Sequence, residues 1–403
     1  MDIKEVSCCI VGGGPAGLML ATLLAMRKVN VLLLEQHQNF DRDFRGDTVH
    51  PSTLEILDQL GWASELLAKP HGKLSSLSLQ FGATRVTIAD FRTASKRFPF
   101  IALIPQVDFL DFIRQKASQF PHFHIEMGAN VISLIEEDGR VVGVRYQNPH
   151  GPLQEVRAAL VVGADGRFSR IRQLGRFELK KSAPPMDVLW TRLPRLPGDP
   201  AELPLFAVGR GHLLVALSRV NDFQLGYVIP KGSFAVQKTE GLEKLRKDIA
   251  RLQPILAGRV STLTEWKQVA VLSVESSRVT TWFRDGLLLI GDAAHVMSPV
   301  GGVGINYAIQ DAVEATNLLA KPLAAGDLER RDLQAVQAAR EFPVKTIQFF
   351  QKVIQNAIVG QVLTSTTTEP SLPLPLRVLG RISLLRRLPA RLVGIGIRRV
   401  RIR

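Results

Sequence analysis

The sequence has 403 residues, 46% of them hydrophobic, which suffices for two or three domains with sizeable cores. It contains no apolar run of the roughly eighteen residues that a membrane-spanning helix needs. The net charge of +14 is concentrated, because no acidic residue follows Glu369 whereas nine arginines do. The basicity therefore belongs to a C-terminal segment, and it does not predict a nucleic-acid-binding body.

The two cysteines, Cys8 and Cys9, are adjacent in a predicted buried strand. Neighbouring side chains of a strand point to opposite faces, so neither a disulfide nor a metal site is expected there. The N-terminus also lacks the basic stretch of a signal peptide. These features predict a cytoplasmic protein without a bound metal.

Residues 6–35 predict one strand–turn–helix–strand unit that ends on an acid. An apolar strand at 7–11 leads into Gly12-Gly13-Gly14-Pro15-Ala16-Gly17, which fits G-x-G-x-x-G. A helix at 18–28 and a strand at 29–34 follow, up to Glu35. Gly12 permits the tight turn, Gly14 lets the backbone approach a pyrophosphate, and Gly17 allows close helix–strand packing. The helix N-terminus suits phosphates and Glu35 suits a ribose, so the unit predicts a bound adenine dinucleotide. The alternative is a tight turn beside an empty cleft.

Two later segments, 74–100 and 181–282, alternate apolar and polar residues, which is typical of antiparallel strands with one wet face. Buried strands return at 159–163 and 286–290, and each is followed by an acid, Asp165 or Asp292. Ligands of open α/β sheets bind beyond the carboxyl ends of the strands, so these acids should converge on the glycine-rich turn.

We therefore predict an α/β fold with a split nucleotide-binding domain at 1–73, 101–180 and 283–345. A mostly antiparallel sheet domain, which would bind substrate, is predicted at 74–100 and 181–282. A helical, arginine-rich segment is predicted at 346–403. Helices are expected at 51–61, 108–117 and 242–252, after residue 305, and at 328–339 and 343–358.

Three fingerprints carry a family resemblance: residues 12–17, then Gly163-Ala164-Asp165-Gly166, then Gly291-Asp292-Ala293-Ala294-His295 with Pro299. In this order and spacing they resemble the single-component FAD-dependent aromatic hydroxylases, the para-hydroxybenzoate hydroxylase family of class A flavoprotein monooxygenases, over residues 5–345. The resemblance implies a Rossmann-like FAD-binding domain of the glutathione-reductase type. It implies FAD as cofactor, NADH or NADPH as reductant without a second dinucleotide motif, and O2 as co-substrate. The implied reaction is hydroxylation of an apolar, aromatic or polycyclic small molecule through a flavin C4a-hydroperoxide.

The resemblance also implies roles for single residues. Glu35 would hold the adenosine ribose, Asp165 would serve FAD and the reduced nicotinamide, and Asp292 would bond the ribityl region. Pro299 would lie beside the flavin ring, and the helix that begins after Gly301 and Gly302 would direct its N–H groups at the pyrimidine edge. His295 is expected to support its loop rather than act as a base. The predicted catalytic residues are Pro299, Gly301 and Gly302, and the predicted FAD contacts are Gly12, Gly14, Pro15, Ala16, Gly17, Glu35, Arg45, Gln106, Asp165, Gly291, Asp292, Gly304, Ile305 and Asn306.

Substrate contacts are harder to assign, and Arg192 and Tyr227 are the candidates. The aromatic residues Trp190, Phe206, Phe223 and Tyr227 are expected in the sheet core, with a subset lining a pocket. A reductase of the same fold, resembling geranylgeranyl reductases, is the alternative enzyme, and a flavin-binding scaffold without turnover is a further alternative. Residues 226–230 lack both tryptophans of the halogenase motif W-x-W-x-I-P, which argues against halogenation.

The arginine-rich tail allows two interpretations. The favoured one is a helix packed across the substrate domain with solvated arginines. The other is weak contact with an anionic membrane surface, by which the protein would be peripheral to the inner face of the membrane. No nucleic-acid partner is expected, and the chain is predicted to be a monomer or homodimer.

Overall fold

The computed structural model describes residues 3–41, 46–82, 84–209, 211–356 and 374–403, so Arg45 lies outside the described residues. The predicted α/β fold is confirmed, with a mainly parallel sheet beside a second, mainly antiparallel one. Within these ranges, no helix has the length and apolar character needed to cross a bilayer.

The strands, in chain order, are β1 (Ile3–Val11), β2 (Val31–Glu35), β3 (Thr48–Val49), β4 (Gly72–Leu74), β5 (Ser76–Phe81), β6 (Thr84–Asp90), β7 (Ile101–Leu103), β8 (Phe123–Met127), β9 (Asn130–Glu137), β10 (Arg140–Gln147), β11 (Leu153–Gly163), β12 (Leu179–Ser182), β13 (Met186–Pro194), β14 (Phe206–Gly209), β15 (His212–Ser218), β16 (Asp222–Pro230), β17 (Ala270–Ser273), β18 (Ser276–Val279), β19 (Phe283–Arg284), β20 (Leu287–Leu289) and β21 (His295–Val296). The α-helices are α1 (Pro15–Met26), α2 (Pro51–Gln59), α3 (Ala63–Ala68), α4 (Gln106–Ala117), α5 (Arg170–Leu174), α6 (Phe234–Glu240), α7 (Leu242–Leu252), α8 (Gly304–Ala325), α9 (Arg330–Ile354), α10 (Leu374–Arg381) and α11 (Arg387–Gly394).

The first sheet has the order β19-β20-β11-β1-β2-β8, and β10 and β9 extend it from β11. Strand β1 lies at the centre and pairs in parallel with β2 and β11, while β20 pairs in parallel with β11. Helices cover the central strands, which explains why their sequences are continuously apolar. Cys8 and Cys9 are accordingly fully buried, and both are free thiols.

The long helix α9 differs from the prediction. Two helical segments were expected, at 328–339 and 343–358, whereas one helix runs from Arg330 to Ile354 with Pro343 inside it. Proline removes one backbone hydrogen bond, which disfavours a helix interior. Here Val336, Val344 and Ile347 continue one buried stripe across Pro343, so tertiary packing outweighs the local cost.

The second sheet has the order β17-β13-β16-β15-β14-β5-β6. It combines β5 and β6 from the first predicted insertion with five strands from the second, and β14 and β5 join the two in parallel. The limits proposed for the domains themselves stay a prediction. Helix α7 covers one face of this sheet, and the opposite face meets the first part of the fold.

The tail packs along the second sheet. Helix α11 lies against β6 and the 3-10 turn Phe91–Thr93, and it buries Ala390 and Gly394. Leu384 and Leu388 of the same segment are 63% and 75% exposed. The described part of the tail therefore forms packed helices, as the favoured interpretation expects, and lipid contact stays a prediction.

Candidate functional site

The glycine-rich turn has the geometry that its sequence predicts. Gly12 has φ +106°, and a Cβ atom there would lie 2.5 Å from the carbonyl oxygen of Ala164. A Cβ on Gly17 would lie 2.0 Å from the carbonyl oxygen of Gly12. By contrast, a Cβ on Gly14 would meet no atom within 4 Å, so the turn is open on the side of Gly14.

Helix α1 begins at this open side. Pro15 occupies its first turn, and no side chain caps its N-terminus. Proline suits this position because it has no N–H to satisfy. The uncapped N–H groups and the positive end of the helix dipole make the turn suitable for phosphates.

The carboxylate of Glu35 lies beside the same turn at the end of β2. It is buried, and its Oε2 accepts a hydrogen bond of 2.7 Å from Gly13 N, while its Oε1 accepts one of 3.0 Å from His37 N. The Nδ1 atom of His37 lies 2.6 Å from the same Oε1. Glu35 therefore fixes the turn to the end of β2, and the ribose contact predicted for it stays a prediction.

The three fingerprints converge, as the order of the strands predicts. Ala164 N donates to Val11 O at 2.8 Å, which ties the second fingerprint to the first. A Cβ on Gly291 would lie 3.0 Å from the Cβ of Ala16, so the third fingerprint abuts the start of α1. The buried Arg172 of α5, the helix that follows the second fingerprint, contacts the third, because its Nη1 donates to Ala293 O at 3.0 Å.

The two acids that follow β11 and β20 in the sequence, Asp165 and Asp292, differ in their surroundings. Asp165 accepts hydrogen bonds from Ser169 Oγ at 2.5 Å and from Ile171 N at 3.0 Å, so it fixes the start of α5. Burial raises the pKa of Asp165, although these two bonds oppose the shift. Asp292 is half-buried in the 3-10 turn Gly291–Ala293 and lies close enough to Arg172 to act on its pKa. Both acids thus lie near the turn, and their cofactor contacts stay predictions.

The loop that precedes α8 is held in an unusual conformation. Gly301 and Gly302 have φ values of +82° and +62°, and a Cβ on Gly302 would lie 2.7 Å from Thr48 Oγ1. That hydroxyl donates to Gly302 O at 2.9 Å. Only glycine adopts these angles without strain, so the residue type at both positions follows from the backbone.

Asn306 connects this loop to the segment that follows β3. Its Oδ1 accepts from His50 N at 2.9 Å and from Thr53 Oγ1 at 2.7 Å, and its Nδ2 donates to Gly302 O at 3.4 Å. The nearby Ile305 faces Gly46. Helix α8 has no side-chain cap, so its first N–H groups are available at this loop.

A buried ionic network lies beneath the third fingerprint, and the sequence analysis missed it. Asp311 is fully buried and accepts from Arg340 Nε at 2.7 Å and from Gly291 N at 3.0 Å, and His295 Nε2 lies 2.6 Å from its Oδ2. Burial alone would raise the pKa of Asp311, but the charges and hydrogen bonds of His295 and Arg340 hold it below the usual value. The available signal was an acid within the apolar stripe of α8.

This network also explains His295. The side chain is 1% exposed, and its ring contacts that of Trp282 in a tilted arrangement, with 4.9 Å between the ring centres and 42° between the planes. Its position agrees with the prediction that it supports the loop. No solvent-facing position is left for it to act as a base.

Asp47 lies at the boundary between α4 and the second sheet, because it contacts Gln106 on one side and Arg219 on the other. Its carboxylate is 6% exposed, accepts the backbone N–H of Gln106 and lies 3.5 Å from Arg219 Nη1. Burial raises the pKa of Asp47 to about 6, although Arg219, Gln106 and Arg192 oppose the shift. Gln106 itself begins α4, and the FAD contact predicted for its side chain stays a prediction.

The second sheet presents an apolar face to this loop. Val300, between Pro299 and Gly301, packs against a cluster that contains Val188 and Val228. Trp190 and Phe206 lie on the same face, and Trp190 Nε1 is buried without a hydrogen-bond acceptor among the described residues. The sheet face that Val300 contacts thus also carries aromatic residues, and one of them has a buried N–H without an acceptor among the described residues.

The two predicted substrate contacts lie in different places. Arg192 is exposed, lies two residues after Trp190 on the same face of β13 and is near enough to Asp47 to lower its pKa. Tyr227 lies on the face that α7 covers, and its hydroxyl contacts His212 Nδ1 at 2.5 Å and Asp248 Oδ2 at 3.1 Å. The geometry therefore lends no support to a substrate role for Tyr227, and the role of Arg192 stays a prediction.

Comparison with known proteins adds independent information. Residues 5–348 match the family described as FAD binding domain. The 6-methylpretetramide 4-monooxygenase of Streptomyces rimosus is 34% identical over 347 residues, which cover 84% of this chain and 81% of the relative. The 12-dehydrotetracycline 5-monooxygenase/anhydrotetracycline 6-monooxygenase of Streptomyces rimosus subsp. rimosus is 27% identical over 75% of this chain, and the match spans 60% of that relative's length.

Among solved structures, a probable FAD-dependent monooxygenase from Pseudomonas aeruginosa has a TM-score of 0.77 at 19% identity. The match covers 90% of this chain and 99% of that chain. At this identity the likeness concerns the fold alone.

Proposed function

The chain belongs to the FAD-binding domain family and is a flavin-dependent monooxygenase, and we propose that it hydroxylates a polycyclic aromatic compound with NADH or NADPH and O2. The observation that supports the substrate class is the contact of Val300, which follows Pro299, with the apolar face of the second sheet on which Trp190 and Phe206 also lie. Aromatic side chains offer flat apolar surface to fused rings. The name of one relative gives 12-dehydrotetracycline and anhydrotetracycline as its substrates, which supports the same class.

The residues of the site fit FAD. The open space at Gly14 and the uncapped start of α1 would hold the pyrophosphate, since a backbone without a Cβ can approach it closely. Glu35 would accept hydrogen bonds from the adenosine ribose while it keeps its bond from Gly13 N. Asp292 and the uncapped start of α8 would face the flavin end. Bound FAD would supply hydride acceptance and the activation of O2.

The chain itself would orient the substrate and exclude water. Pro299, Gly301 and Gly302 form a loop without bulky side chains except Val300, which allows an aromatic ring to approach closely. The start of α8 would stabilise negative charge that develops at the flavin edge through its N–H groups and dipole. Trp190 Nε1 would donate to an oxygen of the substrate, which would fix the ring that faces the loop.

The test is reconstitution with FAD and assay with a panel of polycyclic phenols under labelled dioxygen. Substrate-stimulated NAD(P)H oxidation and a product that carries one labelled oxygen atom are expected. Gly14→Val tests the pyrophosphate site directly. A Cβ atom at residue 14 would meet no atom of the protein within 4 Å, but the valine side chain would occupy the space proposed for the pyrophosphate. It should lose flavin absorbance and activity together.

Other outcomes would count against the proposal. Flavin-bound protein that reduces its substrate without incorporating labelled oxygen would support the reductase alternative. Flavin-bound protein without turnover on any substrate would support the scaffold. Failure of the wild-type chain to bind FAD would refute the proposed site.

A further inference from the structure

A second cavity lies outside the flavin site, where α8, α9 and residues 398–403 of the tail meet. It has a volume of about 400 Å³. Four arginines contribute to its wall, namely Arg340, Arg398, Arg399 and Arg403, together with one acid, Glu314. Three of the four belong to the arginine-rich tail, whose charge the proposed monooxygenase reaction does not use.

Arg340 is the buried member of this wall. Its side chain is 0% exposed, and its Nε donates to Asp311 at 2.7 Å. The Nη1 and Nη2 atoms have no hydrogen-bond acceptor among the described residues, and the guanidinium lies 5.4 Å from the ring centre of Tyr307. Buried polar groups are nearly always satisfied, so these two donors have capacity for ordered water or for a ligand from outside the chain.

The tail arginines differ in how far a neighbouring acid compensates their charge. Arg403 lies 4.0 Å from Glu314, at the limit of an ion pair, and Arg398 lies over the ring of Phe342 at 5.7 Å. Arg399 pairs with Glu55 at 3.0 Å. The wall of the cavity therefore carries more positive than negative charge.

We propose that this cavity binds a small anion that carries two or more phosphate groups. Guanidinium groups match phosphate oxygens with paired hydrogen bonds, and several of them around one cavity favour a multiply charged ligand. The volume falls within the range of about 300–1,000 Å³ that is typical of small-molecule sites, so it admits more than a single phosphate. The chemistry is shared by free diphosphates and by the phosphates of lipid headgroups, and the experiment separates these sources.

The experiment uses the full chain loaded with FAD, so that the flavin site cannot take up the probe. Inorganic pyrophosphate is titrated calorimetrically at constant ionic strength, and vesicles that contain cardiolipin, whose headgroup carries two phosphates, are tested in parallel by sedimentation. The variant Arg398→Glu/Arg403→Glu reverses two charges of the cavity. The control Arg387→Glu/Arg391→Glu makes the same charge change on exposed positions of α11 that do not line it.

Saturable binding of pyrophosphate by the wild-type chain is expected, weakened on the order of tenfold or more in the cavity variant, since charge-assisted hydrogen bonds are lost. The control should bind within about twofold of wild type. Vesicle binding that depends on Arg398 and Arg403, without pyrophosphate binding, would assign the phosphates to lipid headgroups. If the cavity variant loses FAD, the milder Arg398→Gln replaces it. Equal weakening in both double variants, or no saturable binding of either probe, would overturn the proposal.

Discussion

Replacing Asp311 of α8 by alanine is expected to be among the most damaging single changes in the part of the fold built on the first sheet. Asp311 is fully buried and holds Arg340, His295 and Gly291, with distances of 2.7, 2.6 and 3.0 Å. The variant leaves the Arg340 guanidinium buried without its counter-charge. Removing one partner of a buried ion pair costs about 3–5 kcal/mol, and we expect a loss of that size in the free energy of unfolding.

The assay is urea unfolding followed by circular dichroism, with FAD affinity measured by fluorescence titration. FAD affinity should fall as well, because Gly291 N loses its acceptor and the third fingerprint abuts the start of α1 at Ala16. Asp327→Ala, on an exposed position just beyond α8, is the control and should change stability by no more than about 0.5 kcal/mol.

A double variant tests the physical cause. Asp311→Ala/Arg340→Met removes both charges, so it should be less destabilised than the two single variants predict by addition. The reasoning would be refuted if Asp311→Ala were as stable as the Asp327→Ala control. Strict additivity in the double variant would show that the charge of Arg340 is not the source of the loss.

Three further predictions concern the turn, the substrate face and the domain boundary. Gly12→Val should prevent stable folding because of its φ of +106° and its contact with Ala164, whereas Gly14→Val should fold and lose FAD, as melting curves and flavin absorbance will show. Trp190→Phe should raise the KM for the substrate about two- to tenfold by loss of one hydrogen bond. Tyr227→Phe should instead lower the melting temperature and leave KM unchanged. The reverse pattern would place the substrate on the sheet face that α7 covers. Burial raises the folded-state pKa of Asp47 to about 6, above the unfolded value of 3.8, so ionisation costs stability at higher pH. Asp47→Asn should therefore stabilise by up to about 3 kcal/mol at pH 8, with the gain vanishing as the pH falls from 6 to 3.8, and a gain independent of pH would contradict this cause.

The nucleotide-binding part could be predicted because its sequence signals are local. Close backbone contacts at the turn between β1 and α1 require glycine at positions 12 and 17. The spacing of these glycines in the sequence therefore indicates the turn. Asp165 and Asp292 follow buried strands, and the rule that ligands bind at the carboxyl ends of parallel strands predicts their approach to Gly14. These inferences need only the spacing of apolar residues within each helix or strand and the order of the strands along the chain.

The buried network and the face of each aromatic residue depended on tertiary structure. Asp311 and Arg340 are separated by 29 positions, and no periodicity predicts which groups of two helices meet. In the sequence, Trp190 and Tyr227 are both aromatic residues of predicted strands, and nothing distinguishes their faces. The packing of α7 shows that Tyr227 lies on the face of the second sheet opposite to the one that Val300 contacts.

The arginine-rich tail shows the same division. The sequence by itself established that most of the excess positive charge lies after Glu369, where nine arginines and no acid occur. That Arg398 and Arg403 line a cavity with the distant Arg340 depends on the path of the tail over α8 and α9. A sequence determines local conformation through short-range sterics and hydrogen bonds, whereas contacts between remote segments arise only when the burial of many apolar groups selects one arrangement of the whole chain.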